Sequence, residues 1–411
     1  MMLEPILIAG AVFAVLVWAA LTAYVLRIDG LRTAARDLVA AALNKLRQED
    51  VPSAPMADRI ARVTPILARM SRDMILHTAA DGGTPRTSAD VLAAYMVEKW
   101  GTHILVREAT NHRVPREIWR RTASLKVVYN LELPQTFELL GRAVQDAAPG
   151  VASVGLTLLG TSSDPRATAL LINALVEQKH PPSRVAVHLE HSPLRPVEQY
   201  RALLTHADPV VRFWGATLLA GCPDVDGLEA ELAELSDDED PRVRKAAVQS
   251  LGRLGGSAAT DVALRLIRDT APFVRAHAAR ALAELDCIEA AASIAELLGD
   301  ADWWVRNAAK QSLETLGSEV WPVLVRCLEH EDKFVRNGAA EVFQNLGILD
   351  SLIVMEAASD DPSRSKIDLL RRIAAAGGAR MTDSLVERSG SAAPRVRQLL
   401  ATIGLEQAGA A

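Results

Sequence analysis

The side chains able to do chemistry in this 411-residue sequence are few and dispersed. Cys222, Cys287 and Cys327 are odd in number, far apart and outside any CxxC or Cys/His ligand spacing. Neither a disulfide framework nor a zinc site is therefore expected, and each cysteine reads as a small buried apolar residue. The nine histidines are scattered. His188 and His191 stand at i, i+3 without an acidic third ligand, and His330-Glu331 is a lone His-Glu pair. No GxSxG, P-loop, GxGxxG or HExxH motif is present, so no catalytic residue, metal, cofactor or small-molecule substrate is assigned. What does recur is an acid followed four residues later by arginine: Asp208 and Arg212, Asp240 and Arg244, Asp302 and Arg306, Asp332 and Arg336. Four residues is one helical turn, so each aspartate is expected to face its arginine on the same helix.

Those arginines mark a repeat. A Val-Arg pair falls at Val211-Arg212, Val243-Arg244, Val274-Arg275, Val305-Arg306 and Val335-Arg336, at spacings of 32, 31, 31 and 30, and again at Val396-Arg397. A unit is missing around Asp361-Pro362, where "DPSRSK" keeps the opening and loses the pair. Three residues before the valine stands an aspartate suited to cap a helix, and proline often follows at the first helical position, where its missing N–H does no harm. Small or apolar residues then recur at +3, +4, +7, +8 and +11, such as Ala246, Ala247, Ser250, Leu251 and Leu254, which is one face of a 3.6-residue helix. A glycine (Gly255, Gly317 or Gly347) ends it, and a second apolar segment follows. A unit of about 31 residues with two short helices cannot bury its own face and must stack on its neighbours. Alanine, leucine and arginine dominate, and long runs of β-branched residues are absent. The fold class expected is all-α, an α-solenoid of HEAT-like helical hairpins preceded by one transmembrane helix.

The motif D-P-x-V-R-x-x-A-A-x-x-L-G-x-L, clearest in "DPRVRKAAVQSLGRLG", resembles the HEAT repeat in its short bacterial, phycobilisome-lyase-like form. The match is strong from Asp208 to Gly347, with weaker copies from Pro149 and Pro115 and near the C-terminus. The resemblance implies a solenoid over residues 115–411. Residues 28–114 do not repeat and read as a membrane-proximal helical region, with helical segments over 27–46, 56–80 and 88–100 separated by loops over 51–55 and 81–87. Hydroxylases resembling deoxyhypusine hydroxylase share the fold and hold a di-iron centre through several His-Glu pairs, of which His330-Glu331 is the sole match here. The phycobilin lyases share its architecture without a catalytic signature in the repeat. A HEAT-fold lyase or metal-dependent hydroxylase is thus the alternative reading; the leading one is non-enzymatic.

Pro5 to Leu26 is an uncharged run of 22 residues, the length needed to span roughly 30 Å of hydrocarbon. It is too long for the apolar stretch of a signal peptide, and only Glu4 is charged before it. A transmembrane helix over 5–27 is expected, with Trp18 within it and Tyr24 at the level of an interfacial anchor. Arg27, Arg32, Arg36, Lys45 and Arg47 follow the run, which by the positive-inside rule places the N-terminus outside and the rest at the cytoplasmic face of the cell membrane.

Charge bears on partners. Residues 28–150 carry net +3 and residues 151–411 net −9, so the repeats are acidic and a nucleic-acid track along them is not expected. Aromatics make up only 4% of the chain, yet Trp303 and Trp304 are adjacent. Aligned on the valine, Trp304 shares its register with Phe273 and Phe334, in a row of large residues beside the arginines. Trp304 is expected to pack in the scaffold, and Trp303, where most units have proline, is the better contact. Exposed tryptophan beside arginine is typical of interface hot spots. The function expected is a membrane-anchored scaffold or adaptor whose Phe273, Trp303, Trp304 and Phe334 bind another protein, itself membrane-bound such as a glycosyltransferase or other envelope enzyme.

Overall fold

A computed structural model describes residues 37–38, 44, 55–111, 118–222, 227–348, 351, 364–388 and 393–402. The expected anchor from Pro5 to Leu26, with Trp18 and Tyr24, lies outside the described residues, as does most of the degenerate unit at Asp361-Pro362. Among the described residues every regular element is helical and no strand occurs. No helix among them is long and apolar enough to cross a membrane. Packing divides the chain into two compact units, meeting in sequence at Leu194 and Arg195.

The first unit contains α1 (Met56–Leu67), α2 (Arg72–Ala80), α3 (Arg86–Trp100), α4 (Thr102–Ala109), α5 (Ile118–Asn130), α6 (Thr136–Val144), α7 (Pro149–Gly160), α8 (Pro165–Glu177) and α9 (Pro182–Glu190). The helical segment expected over 56–80 is two helices: the chain turns after Leu67, and Ser71 starts α2 by accepting from the Met74 N–H at 3.3 Å. Helix α4 packs on α5, so residues on both sides of position 114 share one core. Helices α5, α7 and α9 form one layer, with α6 and α8 beside them. Asp164-Pro165 writes a helix start that a search for Val-Arg passes over, because Ala167 stands in the valine's place; Asp164 caps α8 through the Arg166 N–H at 2.8 Å.

The second unit contains α10 (Val197–Leu203), α11 (Pro209–Leu219), α12 (Leu228–Leu235), α13 (Pro241–Leu254), α14 (Ser257–Leu266), α15 (Pro272–Glu284), α16 (Ala291–Glu296), α17 (Trp303–Leu316), α18 (Trp321–Cys327), α19 (Lys333–Asn345), α20 (Arg364–Arg388) and α21 (Ala393–Thr402). The first helices of successive repeats, α11, α13, α15, α17, α19 and α20, stack one on the next. The second helices α12 and α14, and α16 and α18, pair along one side. Val211, Val243, Val274, Val305, Val335 and Val396 are all buried, as the repeat requires. Cys222 is buried as expected, whereas Cys287 and Cys327 are only half-buried, because both lie near the ends of short second helices. Burial raises the thiol pKa of Cys222 and Cys327 above the usual value.

The small residues set the spacing between stacked helices. Ala246, Ala247, Ala278, Ala279, Ala308 and Ala309 are buried between α13, α15 and α17. Gly252 of α13 sits against α15 so closely that a Cβ there would lie 2.9 Å from Ala281 Cβ and 3.0 Å from its Cα. By contrast Gly255 and Gly317 terminate α13 and α17 with φ of 80° and 74°, values that favour glycine. Gly252→Val is therefore expected to push α13 from α15 and to destabilise the protein by about 1–3 kcal/mol, checked by chemical denaturation.

Candidate protein-interaction surface

Four first helices of the second unit, α11, α13, α17 and α19, begin with the same set of bonds, built on the free N–H groups that a helix start leaves. In α11 the Asp208 carboxylate accepts from the Val210 N–H at 2.8 Å, and the N–H of Asp208 itself donates to His206 Nδ1 at 3.1 Å. In α13 Asp240 caps through Arg242 N–H and its own N–H donates to Asp238, both at 2.8 Å. In α17 Asp302 caps through Trp304 N–H at 2.7 Å and donates to Asp300 at 2.9 Å. In α19 Asp332 caps through Phe334 N–H at 2.8 Å and donates to His330 Nδ1 at 3.0 Å. The aspartates expected to pair along the helix are thus occupied as caps.

The arginines reach elsewhere, which corrects the pairing expected from the four-residue spacing. Arg212 places Nε and Nη2 on the two oxygens of Asp238, 2.7 and 2.9 Å away, in the next repeat. Arg244 does the same to Asp269 at 2.8 and 2.9 Å, and Arg275 to Asp300 at 2.8 and 2.8 Å. The remaining nitrogen, Nη1, donates to two carbonyls of the turn before its own helix: His206 and Ala207 for Arg212, Asp238 and Glu239 for Arg244, Asp269 and Thr270 for Arg275. Asp208 adds only a smaller Coulombic contribution at Arg212. The side chains of Asp238, Asp269 and Asp300 are 9, 6 and 9% exposed. Burial works against their charge, but the arginine fork and a backbone N–H outweigh it and hold all three carboxyls below the ordinary value.

The first unit repeats the device once. Arg121 of α5 pairs with Asp146, whose carboxylate also accepts the Ala148 N–H ahead of α7. Both side chains are buried. Sequence reasoning missed this rung because no Val-Arg marks it; the signal was an acid two residues before the cap, 25 or 26 residues after an arginine.

The ladder stops at α17. Arg306 donates Nη1 to the carbonyls of Asp300 and Ala301, at 2.8 and 3.1 Å, as its counterparts do. In the next repeat, however, the position of Asp238, Asp269 and Asp300 is taken by His330. Among the described residues no carboxylate reaches ion-pair distance of Arg306, whose guanidinium instead lies 4.6 Å from the centre of the Phe334 ring. Arg336 repeats the carbonyl bonds, to His330 and Glu331 at 2.7 Å each.

The aromatic row lies at this break. Phe273, Trp304 and Phe334 are each the second residue of their helix, and Trp303 is the first of α17. Trp303 is 63% exposed, Phe334 46%, Trp304 45% and Phe273 37%. Trp304 is therefore not packed in the scaffold: a second helical residue, one turn ahead of the buried face, points outward. The rings of Trp303 and Trp304 touch, with centres 6.2 Å apart and planes tilted by 50°. Cations stand over the rings: Arg280 lies 5.2 Å from Trp304, and Lys333 5.2 Å from Phe334. Trp303, Trp304 and Arg280 thus form one group and Phe334, Arg306 and Lys333 another on adjoining repeats, and Phe273 is exposed on the repeat before them. His188 and His191 lie far along the sequence in the first unit, where burial lowers the His188 pKa. Among the described residues no group of three or more His, Cys, Asp or Glu is arranged to hold a metal ion.

Comparison with known proteins places this architecture. The family described as HEAT repeats matches residues 197–283, 262–344 and 291–376, all within the second unit. Residues 197–376 therefore match HEAT repeats, and the described residues form an all-helical α-solenoid of HEAT-like repeats. A crystal structure of Kap121p bound to Pho4p is similar with a TM-score of 0.50 at 14% identity, covering 89% of this chain and 47% of that one. The karyopherin Kap121p bound to the SUMO protease Ulp1p gives 0.50 at 13% identity over 87% and 47%. A Kap95:Nup1 complex gives 0.45 at 11% identity over 90% and 63%. The chain spans about half the length of the Kap121p chains it resembles, and at these identities the likeness is one of fold. No curated protein matches the sequence.

The ladder and its break make opposite predictions. Arg244→Met strands the buried Asp269 carboxylate and is expected to destabilise by roughly 3 kcal/mol in chemical denaturation. Arg306→Met strands no carboxylate and is expected to lose less than about 1 kcal/mol. The depressed carboxyls also fix the sign of the acid response. Their contribution is fully present above the unfolded aspartate pKa of about 3.9 and is lost as pH falls through the lower folded values. Melting temperature is thus expected to drop below about pH 4. The drop should be shallower in Asp269→Asn than in the parent.

Proposed function

We propose that this chain is a non-enzymatic scaffold that binds another protein through the exposed aromatic surface around Trp303 and Trp304. A HEAT-repeat helical solenoid is suited to protein–protein interaction, because its stacked helices present a long surface whose exposed residues are free of folding duties. The observation that carries the reading is the exposure of four large rings, Phe273, Trp303, Trp304 and Phe334, at adjoining helix starts. Clustered exposed aromatics beside arginine are the composition of interface hot spots. Similar solved structures support a protein partner in kind, since the Kap121p chains are bound to proteins, Pho4p and Ulp1p.

The proposal extends to the membrane. The uncharged run from Pro5 to Leu26 and the arginines that follow it support a single-pass anchor with the repeats at the cytoplasmic face. The repeat motif supports the short bacterial, phycobilisome-lyase-like HEAT subtype. Tethering confines scaffold and partner to one surface and raises their effective concentration, which favours a membrane-bound partner such as a glycosyltransferase or other envelope enzyme.

Two measurements test this. Removing residues 1–27 is expected to move the protein from the membrane to the soluble fraction on ultracentrifugation; retention in the membrane fraction rejects the anchor. In affinity capture from solubilised membranes, the Trp303→Ala/Trp304→Ala protein is expected to lose one membrane protein by about thirty-fold, the equivalent of roughly 2 kcal/mol for a hot-spot tryptophan. Capture equal to that of the parent rejects the aromatic surface as the contact.

A further inference from the structure

We infer that the surface around Arg306 recognises a carboxylate of the partner, an aspartate or glutamate with an apolar side chain on the same face, and that this carboxylate takes the place that His330 leaves open in the arginine ladder. The inference rests on the protein-binding reading above and specifies its chemistry.

Four arginines of this chain show what the fork in this position takes. Arg121, Arg212, Arg244 and Arg275 each hold an aspartate carboxylate, the last three with paired Nε and Nη2 bonds. Arg306 has the same place in its helix and the same two carbonyl bonds from Nη1, which fix the guanidinium plane as in Arg275. Among the described residues its Nε and Nη2 carry no hydrogen bond, whereas those of Arg275 hold Asp300. His330 cannot supply one. Its Nδ1 accepts the Asp332 N–H, so the turn keeps its shape while the acceptor for the fork is gone. Aspartate would do both tasks at once, as Asp300 does.

The surroundings favour an anion with an apolar neighbour. Arg280, Arg306 and Lys333 stand over the rings of Trp304 and Phe334, and among the described residues none of the three forms an ion pair. Among the described residues the one hydrogen bond of the Arg280 side chain goes to Gln311, at 3.4 Å. Residues 151–411 carry net −9, and within that acidic background these three cations, without an ion pair among the described residues, stand on exposed rings. A planar fork binds carboxylate with two parallel bonds, and the rings beside it bury an apolar side chain. The acidic surface around this spot disfavours a polyanion such as nucleic acid, which would need a track of cations.

The test uses the full chain in detergent and a dye-labelled hexapeptide alternating glutamate with phenylalanine, compared with peptides in which glutamine or lysine replaces glutamate. Binding is read by fluorescence anisotropy. The glutamate peptide is expected to bind at least tenfold more tightly than either other peptide, and Arg306→Gln is expected to abolish that preference. The decisive variant is His330→Asp, which closes the ladder from within. It is expected to raise the melting temperature by about 3 °C. It should also weaken the glutamate peptide at least tenfold, by giving Arg306 a partner of its own. Equal binding of the three peptides, no binding of any, or unchanged binding in a stabilised His330→Asp protein would overturn the inference. Tighter binding of a labelled oligothymidylate than of the glutamate peptide would overturn it too. If glutamate and glutamine peptides bind equally and Trp303→Ala weakens both, the carboxylate is rejected while the protein-binding surface stands.

Discussion

The helix start is the point on which this structure depends. A helix that begins inside a stack has backbone N–H groups and arginine side chains that water reaches poorly, and every one must find an acceptor. Here a single short turn serves them all. One carboxylate caps the helix, the side chain two residues earlier takes the cap's own N–H, and the arginine at the fourth helical position binds two carbonyls of the same turn. Its remaining nitrogens reach the equivalent turn of the next repeat. The ion pair is thus an extension of capping: the aspartate that receives the arginine is already oriented by a backbone N–H. That pre-orientation is why a pair with less than a tenth of its carboxylate exposed remains charged despite desolvation.

The scaffold was legible because its physics is local. Valine at the third helical position, alanines at +3 and +4 and a terminating glycine each answer to the helical period or to backbone conformation, and both are written in consecutive residues. Val211 through Val335 are buried as that pattern demands. The ladder was legible only in its arginines. Four-residue spacing suggests a pair on one helix, but Asp240 is spent on the Arg242 N–H, and the fork finds Asp269, 25 residues on. No helical period connects those positions; only the rise from one hairpin to the next does. Arg121 and Asp146 were missed for the same reason, since the first unit keeps the acid before the cap and drops the valine.

Trp304 shows where register misleads. It aligns with Phe273 and Phe334, and a row of large residues reads as packing. The second residue of a helix, however, sits beside the cap and off the buried stripe that begins at the third. The same position holds Arg242, which folds back on its own Asp240. Large residues recur there because the site has room, and the three rings are exposed together. The repeat therefore specifies the buried face closely and leaves this outer row open to other demands. Two departures from the pattern fall beside these rings, tryptophan for proline at Trp303 and histidine for aspartate at His330, while others lie elsewhere, at His206 and Ala271. A regular scaffold that breaks its own rule twice within one surface has given up local stability there, and such breaks are where function is sought.

Electrostatics then constrains how such a surface works. Beyond the screening length, about 8 Å at physiological salt, the charges of this acidic surface are largely screened, so charge does not steer the encounter. Attraction begins only within reach of Arg280, Arg306 and Lys333, and affinity must come from short-range contacts: the fork on a carboxylate and rings on an apolar side chain. Such a site is selective but slow to find. Confinement of both partners to one membrane, as proposed, would offset this, because the search becomes two-dimensional and the effective concentration rises without any new contact. In the proposed function the run from Pro5 to Leu26 and the cations around Arg306 are two parts of one design: the anchor would bring the partner near, and the broken rung would decide which partner stays.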